Sequence, residues 1–499
     1  MNRYSKRYSL ACDINPSCEK GVKTMNRRTF NQSLFGGAAT AIIESKAVGA
    51  TELLRYSADW YSLSRHTVPD WYSNAKLGIF IHWGLYSVPA WATPSGELGK
   101  VAPEEWFRNN PYSEWYLNTL RIEGSPTYEH HVKNYGKNFD YYQFATQFNA
   151  AVEQWNPALW ADTFRKTGAR YVVLTTKHHD GFTLWPTSVK NSKRPGLASK
   201  RDIAGELARA VRDHGMKMGL YYSGGLDWTY TSEPIRTMQD LPLRVPQQAD
   251  YAAYADAHWL ELIERYEPSV MWNDIAYPRA GKLEQIFSTF YNKVPDGVVN
   301  NRFTVPFSDF TTPEYAKYDR ITEKKWESCR GLGFSFGYNQ VEGPDQVIAP
   351  DKLISLLVDI VSKNGNLLLN VGPRPDGSIS EIQLDRLNKL GAWLAVNGEG
   401  IFDSRPWVNS GGKSPDGTVI RFTRKADSAY AFVLERNDPM HVTIPGVMAG
   451  NGMRVERLGG KIPLEWKQSG VDLMISSKEE LPAQFGLRLT PAPSQVVRD

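Results

Sequence analysis

One stretch of this 499-residue chain, VMWNDIAYP from Val270 to Pro278, begins as an apolar strand and ends on a carboxylate. An unpaired charge is costly to bury, so Asp274 needs a reason to stand where the apolar run stops. It could begin a turn or cap a helix, as Asp often does. It could equally be a catalytic carboxylate positioned by a rigid strand. The rest of the sequence has to separate these two interpretations.

Other polar residues also follow apolar, strand-like runs. They are His82, His178, His179, Tyr221, Tyr222 and Arg302. Side chains alternate along a strand, so Phe80 and His82 should share one face, as should Trp272 and Asp274. Each pair places an apolar surface beside a polar group, a combination that sugar binding requires. The set favours carboxylate chemistry assisted by His, Tyr and Arg donors.

A metal site is the main chemical alternative, because His178 and His179 are adjacent. Neighbours in a strand point to opposite faces and cannot both hold one ion without a bend. The sequence has no H-E-x-x-H and no zinc-type Cys/His pattern. We therefore predict a site without a metal or other cofactor. A metal-dependent hydrolase and a non-catalytic glycan-binding protein stay open as alternatives.

The elements that must position these residues alternate from about residue 75 to residue 400. Short apolar runs alternate with amphipathic stretches, as parallel strands joined by helices do. Strands are predicted in LGIFIHWG, ARYVVLTTKHHDGF, MKMGLYYS, PSVMWND, GVVNNRF and GNLLLNVG. Between two of them, Asp202 should cap a helix that Gly215 ends.

This order predicts an α/β fold with a (β/α)8-like barrel, for which about 250 residues plus insertions is usual. A doubly wound sheet is the alternative, but no glycine-rich nucleotide-binding motif follows any of these strands. In a barrel the active site lies at the carboxyl ends of the strands. The polar residues above stand at those ends.

Beyond about residue 402 the pattern changes to short alternating runs such as TVIRFTR and AYAFVLE. These are typical of a small antiparallel β domain. We therefore predict three parts: an N-terminal segment over residues 1–50, the catalytic barrel over residues 51–402 and a C-terminal β-sandwich over residues 403–499.

The N-terminal segment resembles a twin-arginine export signal. Asn26–Ile43 places paired arginines before a short apolar run rich in Gly and Ala. That run is too short to be a permanent membrane anchor. We expect a mis-called extension before Met25, followed by a signal peptide for export to the periplasm or secretion. A disordered basic tail is the alternative.

Charge and cysteine content bound the remaining chain. Residues 1–50 hold eight of the 58 Lys and Arg and three of the 54 Asp and Glu, leaving 50 basic against 51 acidic residues. This balance gives no argument for nucleic-acid binding. Two of the three cysteines precede Met25, so Cys329 would be the only one in an exported protein. No disulfide framework is then available.

Nine motifs, taken together, resemble the retaining α-L-fucosidases of glycoside hydrolase family 29. They are GIFIHWGLYSVPAW, SEWY, TTKHHDGFTLW, YYSGGLDW, WNDIAYP, VNNRF, TPEY, KWES and FSFGYN, and the likeness spans Trp71 to about Trp407. The resemblance implies a (β/α)8-like barrel, a C-terminal β-sandwich and no metal. It also implies exo-acting hydrolysis of terminal α-linked L-fucose from fucosylated glycans, with net retention.

The resemblance assigns roles by motif. Asp274 of WND corresponds to the nucleophile and Glu314 of TPEY to the acid/base. The residues that resemble sugar contacts are His82, Glu114, Trp115, His178, His179, Arg302 and one of Tyr221 and Tyr222. Phe80 and Phe336 resemble the apolar wall around the C6 methyl group, and Trp272 stands beside the nucleophile.

Two glutamates in the same region stay open as alternatives for the acid/base. Glu323 and Glu327 are spaced i, i+4 among lysines, which predicts a solvated helical face for both. Glu314 follows a proline, which favours a loop over the barrel mouth. A retaining glycosidase needs its two carboxyl groups about 5–5.5 Å apart. Asp274 beside basic groups should stay ionised, and that anion should raise the pKa of the second carboxyl group.

Overall fold

The computed structural model describes residues 56–414, 416–460 and 464–495. The predicted extension and export signal lie outside the described residues. Across the described ranges, no helix is long and apolar enough to cross a membrane.

Seven parallel strands form the sheet that carries the predicted site. They are β1 (Leu77–Ile81), β2 (Tyr171–Lys177), β3 (Lys217–Tyr222), β4 (Val270–Asn273), β5 (Val298–Val299), β6 (Trp326–Gly331) and β7 (Gly365–Val371). Their order is β5-β4-β3-β2-β1-β7-β6. A TIM-like barrel opened between β5 and β6 would have this order, so the sheet is consistent with the predicted fold. Most of these strands are buried along their whole length, as strands covered on both faces must be.

Helices precede and connect the strands. They are α1 (Trp60–Leu63), α2 (Asp70–Ala75), α3 (Tyr116–Leu120), α4 (Pro126–Tyr135), α5 (Phe144–Ala151), α6 (Pro157–Thr167), α7 (Ile203–Asp213), α8 (Ala249–Tyr266), α9 (Leu283–Lys293), α10 (Pro350–Ser362) and α11 (Glu381–Asn397). Asp202 caps α7 by accepting a hydrogen bond from the amide of Gly205, as predicted. Gly215 follows the helix with a positive φ of 72°, which suits glycine at a helix end.

An extended segment, residues 310–314, lies between the two open edges of the sheet. Phe310 forms a parallel bridge with Asn300, which follows β5. Thr311 and Glu314 form parallel bridges with Trp326 and Cys329 of β6. The segment therefore touches both edges through its backbone.

The region after β5 differs from its sequence prediction. GVVNNRF was predicted as one strand, but β5 covers only Val298–Val299, and Asn301–Phe303 form a 3-10 helix. Glu314 was expected on a loop over the barrel mouth. Instead it is fixed beside β6, because the amide of the next residue, Tyr315, donates to the carbonyl of Cys329 over 3.0 Å.

The chain after α11 forms antiparallel sheets, as predicted. Their strands are β8 (Arg405–Lys413), β9 (Val419–Lys425), β10 (Ser428–Glu435), β11 (His441–Ile444), β12 (Val447–Met448), β13 (Arg454–Arg457), β14 (Glu465–Ser469), β15 (Asp472–Ser476), β16 (Phe485–Thr490) and β17 (Ser494–Gln495). A five-stranded sheet has the order β13-β16-β10-β9-β8, and a three-stranded sheet has the order β11-β15-β14. Phe422 and Leu487 of the first sheet pack in one apolar cluster with Ile444 and Ile475 of the second. This packing fits a sandwich.

Candidate active site

A cavity of about 1120 Å³ lies at the carboxyl ends of the parallel strands. Its walls come mainly from residues at the ends of β1 to β6 and in the segments that follow these strands. Every residue that the sequence analysis placed in the site lines this cavity, except Tyr222. The side chains are therefore brought to one place from distant parts of the chain.

Asp274 follows the buried strand β4 directly. Its Oδ1 accepts a hydrogen bond from Nη1 of Arg302 at 2.8 Å, and its Oδ2 accepts one from the hydroxyl of Tyr221 at 2.8 Å. Burial by itself would raise the pKa of Asp274. The charge of Arg302 and the two hydrogen bonds outweigh burial and hold that pKa below its ordinary value of 3.8. Asp274 is therefore an ionised carboxylate although it is largely buried.

Arg302 joins Asp274 to Glu314. Its Nη2 lies 3.0 Å from Oε2 of Glu314, and its Nε donates to Oγ1 of Thr312 at 2.9 Å. The guanidinium also lies over the ring of Trp272, with its carbon 4.6 Å from the ring centroid. This planar fork holds two carboxyl groups at fixed positions on either side of it.

Glu314 has a second donor that the sequence did not reveal. The hydroxyl of Tyr112 donates to Oε1 of Glu314 at 2.9 Å. Tyr112 precedes the SEWY motif, but nothing in its local sequence marks it as a partner of a residue 202 positions away. The two donors leave Glu314 oriented toward the cavity that it lines.

The two consecutive tyrosines at the end of β3 point in opposite directions. Tyr221 reaches Asp274, as described above. The hydroxyl of Tyr222 lies 3.0 Å from Nδ1 of His258, on α8, and Nζ of Lys177 lies over its ring. The alternation of side chains along the strand explains the difference. Tyr221 is the member of the pair that faces the cavity, and Tyr222 is a core residue.

Three histidines line the cavity near Asp274. Nε2 of His179 lies 4.0 Å from Oδ2 of Asp274, and its Nδ1 lies 2.6 Å from Oγ of Ser223. Burial lowers the pKa of His82 to about 4 and the pKa of His179 to about 3, so both rings are neutral near pH 7. Nδ1 of His178 is buried and has no hydrogen-bond partner within the described part of the chain.

Glu114 stabilises the segment that carries Phe336. Its Oε2 accepts a hydrogen bond from the amide of Gly337 at 2.8 Å. Burial raises the pKa of Glu114 to about 8, so it is protonated at neutral pH. Phe336 and Phe80 form an apolar corner with ring centroids 6.4 Å apart. The ring of Trp115 meets His179 edge to face, 5.1 Å away.

The predicted helical face of Glu323 and Glu327 is wrong. Glu327 belongs to strand β6 and is fully buried below the cavity. It accepts hydrogen bonds from Tyr72 at 2.8 Å and from Nε1 of Trp272 at 2.9 Å. Glu323 is exposed and does not line the cavity. Hydrogen bonds from donors that are distant in the sequence compensate for the cost of burying Glu327. The spacing of local charges could not reveal these donors.

A serine motif near the cavity has a structural explanation. GFSFG, residues 333–337, has the spacing of a nucleophile elbow. However, Oγ of Ser335 donates to the carbonyl of Gly337 at 2.8 Å and lies beside Glu114. Within the described residues no histidine bonds to Ser335, and no group of three or more His, Cys, Asp or Glu side chains is arranged to hold a metal ion.

Comparison with known proteins gives one consistent result. The family model described as Alpha-L-fucosidase matches residues 42–399. The tissue alpha-L-fucosidase of Homo sapiens is 32% identical over 465 residues, covering 90% of this chain and 92% of its own.

Solved structures agree with the sequence comparison. A structure of an alpha-L-fucosidase is 47% identical, with a TM-score of 0.83, and covers 87% of this chain and 100% of its own. The Thermotoga maritima alpha-fucosidase in complex with fucose is 44% identical, with a TM-score of 0.79 and the same coverage.

Proposed function

The chain belongs to the α-L-fucosidase family and is a glycoside hydrolase with α-L-fucosidase activity, and we propose that it removes terminal α-linked L-fucose by a retaining double displacement. In this proposal Asp274 is the nucleophile and Glu314 is the acid/base. One observation carries the assignment: a single guanidinium, that of Arg302, holds these two carboxyl groups beside the cavity. A retaining glycosidase needs two carboxyl groups in that close relation.

In the first step a carboxylate oxygen of Asp274 bonds to the anomeric carbon as the bond from that carbon to the leaving oxygen breaks. Protonated Glu314 gives its proton to the leaving oxygen, which departs as an alcohol. The low pKa of Asp274 supports its part, because the nucleophile must be ionised. Tyr112 and Arg302 hold Glu314 in reach of the bond that breaks.

In the second step Glu314 is a carboxylate and takes a proton from water. The water oxygen bonds to the anomeric carbon as the bond to Asp274 breaks, and the enzyme returns to its starting state. Asp274 is an ester in the covalent intermediate and carries no charge for as long as that intermediate exists. The field on Glu314 therefore changes between the steps, which suits a group that acts first as acid and then as base.

The remaining cavity residues bind the sugar in this proposal. His82, His178, His179 and Tyr221 surround the polar side, and Trp115 gives an aromatic edge. Phe80 and Phe336 form the wall against the C6 methyl group. The complex of the Thermotoga maritima alpha-fucosidase with fucose supports placing fucose in the corresponding cavity.

We also propose the finer points of the architecture. Residues 310–314 close the sheet into a complete barrel, supported by their bridges to both open edges. The catalytic part extends over residues 51–402 and the β-sandwich over residues 403–499, supported by the separate apolar core after residue 402.

We propose, in addition, that the protein is exported through a twin-arginine signal. This proposal rests on the paired arginines and the apolar run between Asn26 and Ile43.

The stereochemistry of the first product tests the mechanism. Proton NMR during hydrolysis of 4-nitrophenyl α-L-fucoside should show α-L-fucose before mutarotation, as two inversions require. Initial β-L-fucose would mean a single displacement and would overturn the assignment of Asp274 as nucleophile.

A chelator tests the proposal that no metal takes part. Activity should persist after dialysis against EDTA. Loss of activity that zinc restores would support a metal-dependent hydrolase instead.

A further inference from the structure

Asn370, in strand β7, joins two residues of the cavity wall. Its Oδ1 lies 2.7 Å from Nδ1 of His82, and its Nδ2 donates to the backbone carbonyl of Phe336 at 2.6 Å. Asn370 is 1% exposed and lies opposite Phe80 in the parallel pairing of β1 with β7. It is not among the residues that line the cavity, so it acts through its neighbours.

The chemistry of these partners determines which atom carries each proton. A backbone carbonyl can only accept a hydrogen bond, so the amide of Asn370 must present its NH2 group to Phe336. Its oxygen then faces His82, and that oxygen can only accept. Nδ1 of His82 must therefore carry a proton. The amide orientation and the tautomer follow from one fixed acceptor, the carbonyl of Phe336.

We propose that Asn370 is a positioning residue that holds His82 as its Nδ1–H tautomer, so that Nε2 of His82 accepts a hydrogen bond from a hydroxyl group of the substrate. This inference deepens the proposed function and rests on its placement of fucose in the cavity. A neutral imidazole has one donor and one acceptor nitrogen, and here the donor is committed to Asn370. His82 lines the cavity, so its remaining lone pair, on Nε2, is the one available to a ligand there.

The surroundings of Nε2 are consistent with an acceptor. No described residue forms a hydrogen bond with Nε2 of His82, whereas Nδ1 has a short one. Burial lowers the pKa of His82 to about 4, so the ring is neutral and keeps its lone pair at neutral pH. Asn370 also fixes the backbone of Phe336, and thereby couples the apolar wall to the orientation of His82.

The tautomer can be measured in the wild-type protein without any substrate. Nitrogen NMR of enzyme with 15N-labelled histidine rings distinguishes a protonated ring nitrogen from an unprotonated one. The His82 signals are assigned by their absence in His82→Gln. We expect a protonated Nδ1 and an unprotonated Nε2 at pH 7. A proton on Nε2, on one or both nitrogens, would overturn the proposal, whatever the enzyme hydrolyses.

Substrate analogues test the direction of the hydrogen bond. Inhibition constants are measured for L-fucose and for its 2-, 3- and 4-deoxy and deoxyfluoro analogues. Fluorine can accept weakly but cannot donate. At the hydroxyl that faces His82, both analogues should bind about three- to tenfold more weakly than L-fucose, because an acceptor has lost its donor. Better binding of every fluoro analogue than of its deoxy partner would contradict an acceptor role.

A variant should reverse this pattern. Asn370→Asp places a carboxylate beside Nδ1, which favours the doubly protonated ring and turns Nε2 into a donor. The fluoro analogue at the sensitive position should then bind about three- to tenfold better than the deoxy analogue. Asn366→Asp is the matched control, because Asn366 is buried in the same strand but donates to the carbonyl of Tyr72. An Asn370→Asp pattern equal to wild type would count against the proposal.

Failure of this inference is distinguishable from failure of the proposed function. If fucose does not compete with the substrate at all, the site assignment fails while the ring spectrum still reports the tautomer. If fucose competes but His82 carries a proton on Nε2, only the inference about Asn370 fails. If Asn370→Asp does not fold, the wild-type spectrum and the analogue series still decide.

Discussion

Nη1 of Arg302 lies 2.8 Å from Oδ1 of Asp274, and both side chains are largely buried. The same guanidinium reaches Glu314 through Nη2 at 3.0 Å. A buried ion pair of this kind is weak evidence for stability, because desolvation offsets much of the attraction. The guanidinium of Arg302 instead holds the two carboxyl groups at fixed positions relative to each other. Its charge also lowers the pKa of Asp274 and so keeps that carboxyl group ionised.

Removal of the proposed nucleophile should abolish hydrolysis and leave the fold intact. Asp274→Ala should lower kcat/KM for 4-nitrophenyl α-L-fucoside by at least about 10³-fold, because no group remains to form the covalent intermediate. Azide should restore turnover by occupying the vacated position, and the product should be β-fucosyl azide. Asp162→Ala, at a partly exposed position of α6, should keep wild-type activity. Near-wild-type turnover in Asp274→Ala would contradict the assignment of Asp274 as the nucleophile.

Removal of the proposed acid/base should separate substrates by their leaving groups. Glu314→Ala should strongly slow the glycosylation step, in which the fucosyl-enzyme forms, when the substrate is an oligosaccharide. The same step should be slowed much less with 2,4-dinitrophenyl α-L-fucoside, because its phenol needs little protonation to leave. Hydrolysis of the covalent intermediate should be slow with both substrates. With 2,4-dinitrophenyl α-L-fucoside, stopped-flow traces should therefore show a burst of released phenol.

Glu323→Ala is the matched control for Glu314→Ala, since Glu323 is exposed and outside the cavity. It should behave like wild type with both substrates. Equal loss of the glycosylation step for poor and good leaving groups in Glu314→Ala would argue against its acid role.

The acid limb of the pH profile should depend on Arg302. Burial tends to raise the pKa of Asp274, and the charge of Arg302 opposes it. In Arg302→Ala the burial effect remains without that charge, so the pKa of Asp274 should rise. In the proposed mechanism Asp274 must be ionised, so activity should be lost as pH falls through this pKa. The acid limb of kcat/KM should therefore move to higher pH.

The acid limb of the pH profile of kcat/KM is measured with an activated phenyl fucoside, so that the residual rate of Arg302→Ala is large enough to follow. Arg279→Ala is the control, because Arg279 lines the cavity and is exposed but does not contact Asp274. An acid limb that stays in place in Arg302→Ala would show that Arg302 does not govern the ionisation of Asp274.

The apolar wall should determine discrimination against a C6 hydroxyl group. L-galactose is L-fucose with that hydroxyl, and an apolar pocket rejects an added hydroxyl by up to about 10²-fold. Phe336→Ala opens the corner that Phe336 forms with Phe80 and should admit water there. The ratio of kcat/KM for the 4-nitrophenyl α-L-fucoside and α-L-galactoside should fall by about tenfold relative to wild type. Leu241→Ala, at another part of the cavity, should leave the ratio unchanged.

Much of the fold could be predicted from local patterns alone. The alternation of apolar runs and amphipathic stretches predicted the parallel strands, the helix that Asp202 caps and the antiparallel sheets after residue 402. These features depend on periodicity and capping, which act over a few residues. The same periodicity indicated that Phe80 and His82 share a face, and both line the cavity.

Only the tertiary structure decided which side chains meet. Alternation along β3 required Tyr221 and Tyr222 to diverge, but packing determined that Tyr221 reaches Asp274. The bond from Tyr112 to Glu314 spans 202 positions, and the bond from His82 to Asn370 spans 288. Such contacts depend on strand register and on how loops cross the carboxyl ends of the parallel strands. Local propensity carries no information on either, so the sequence determined the faces of the elements and packing determined their partners.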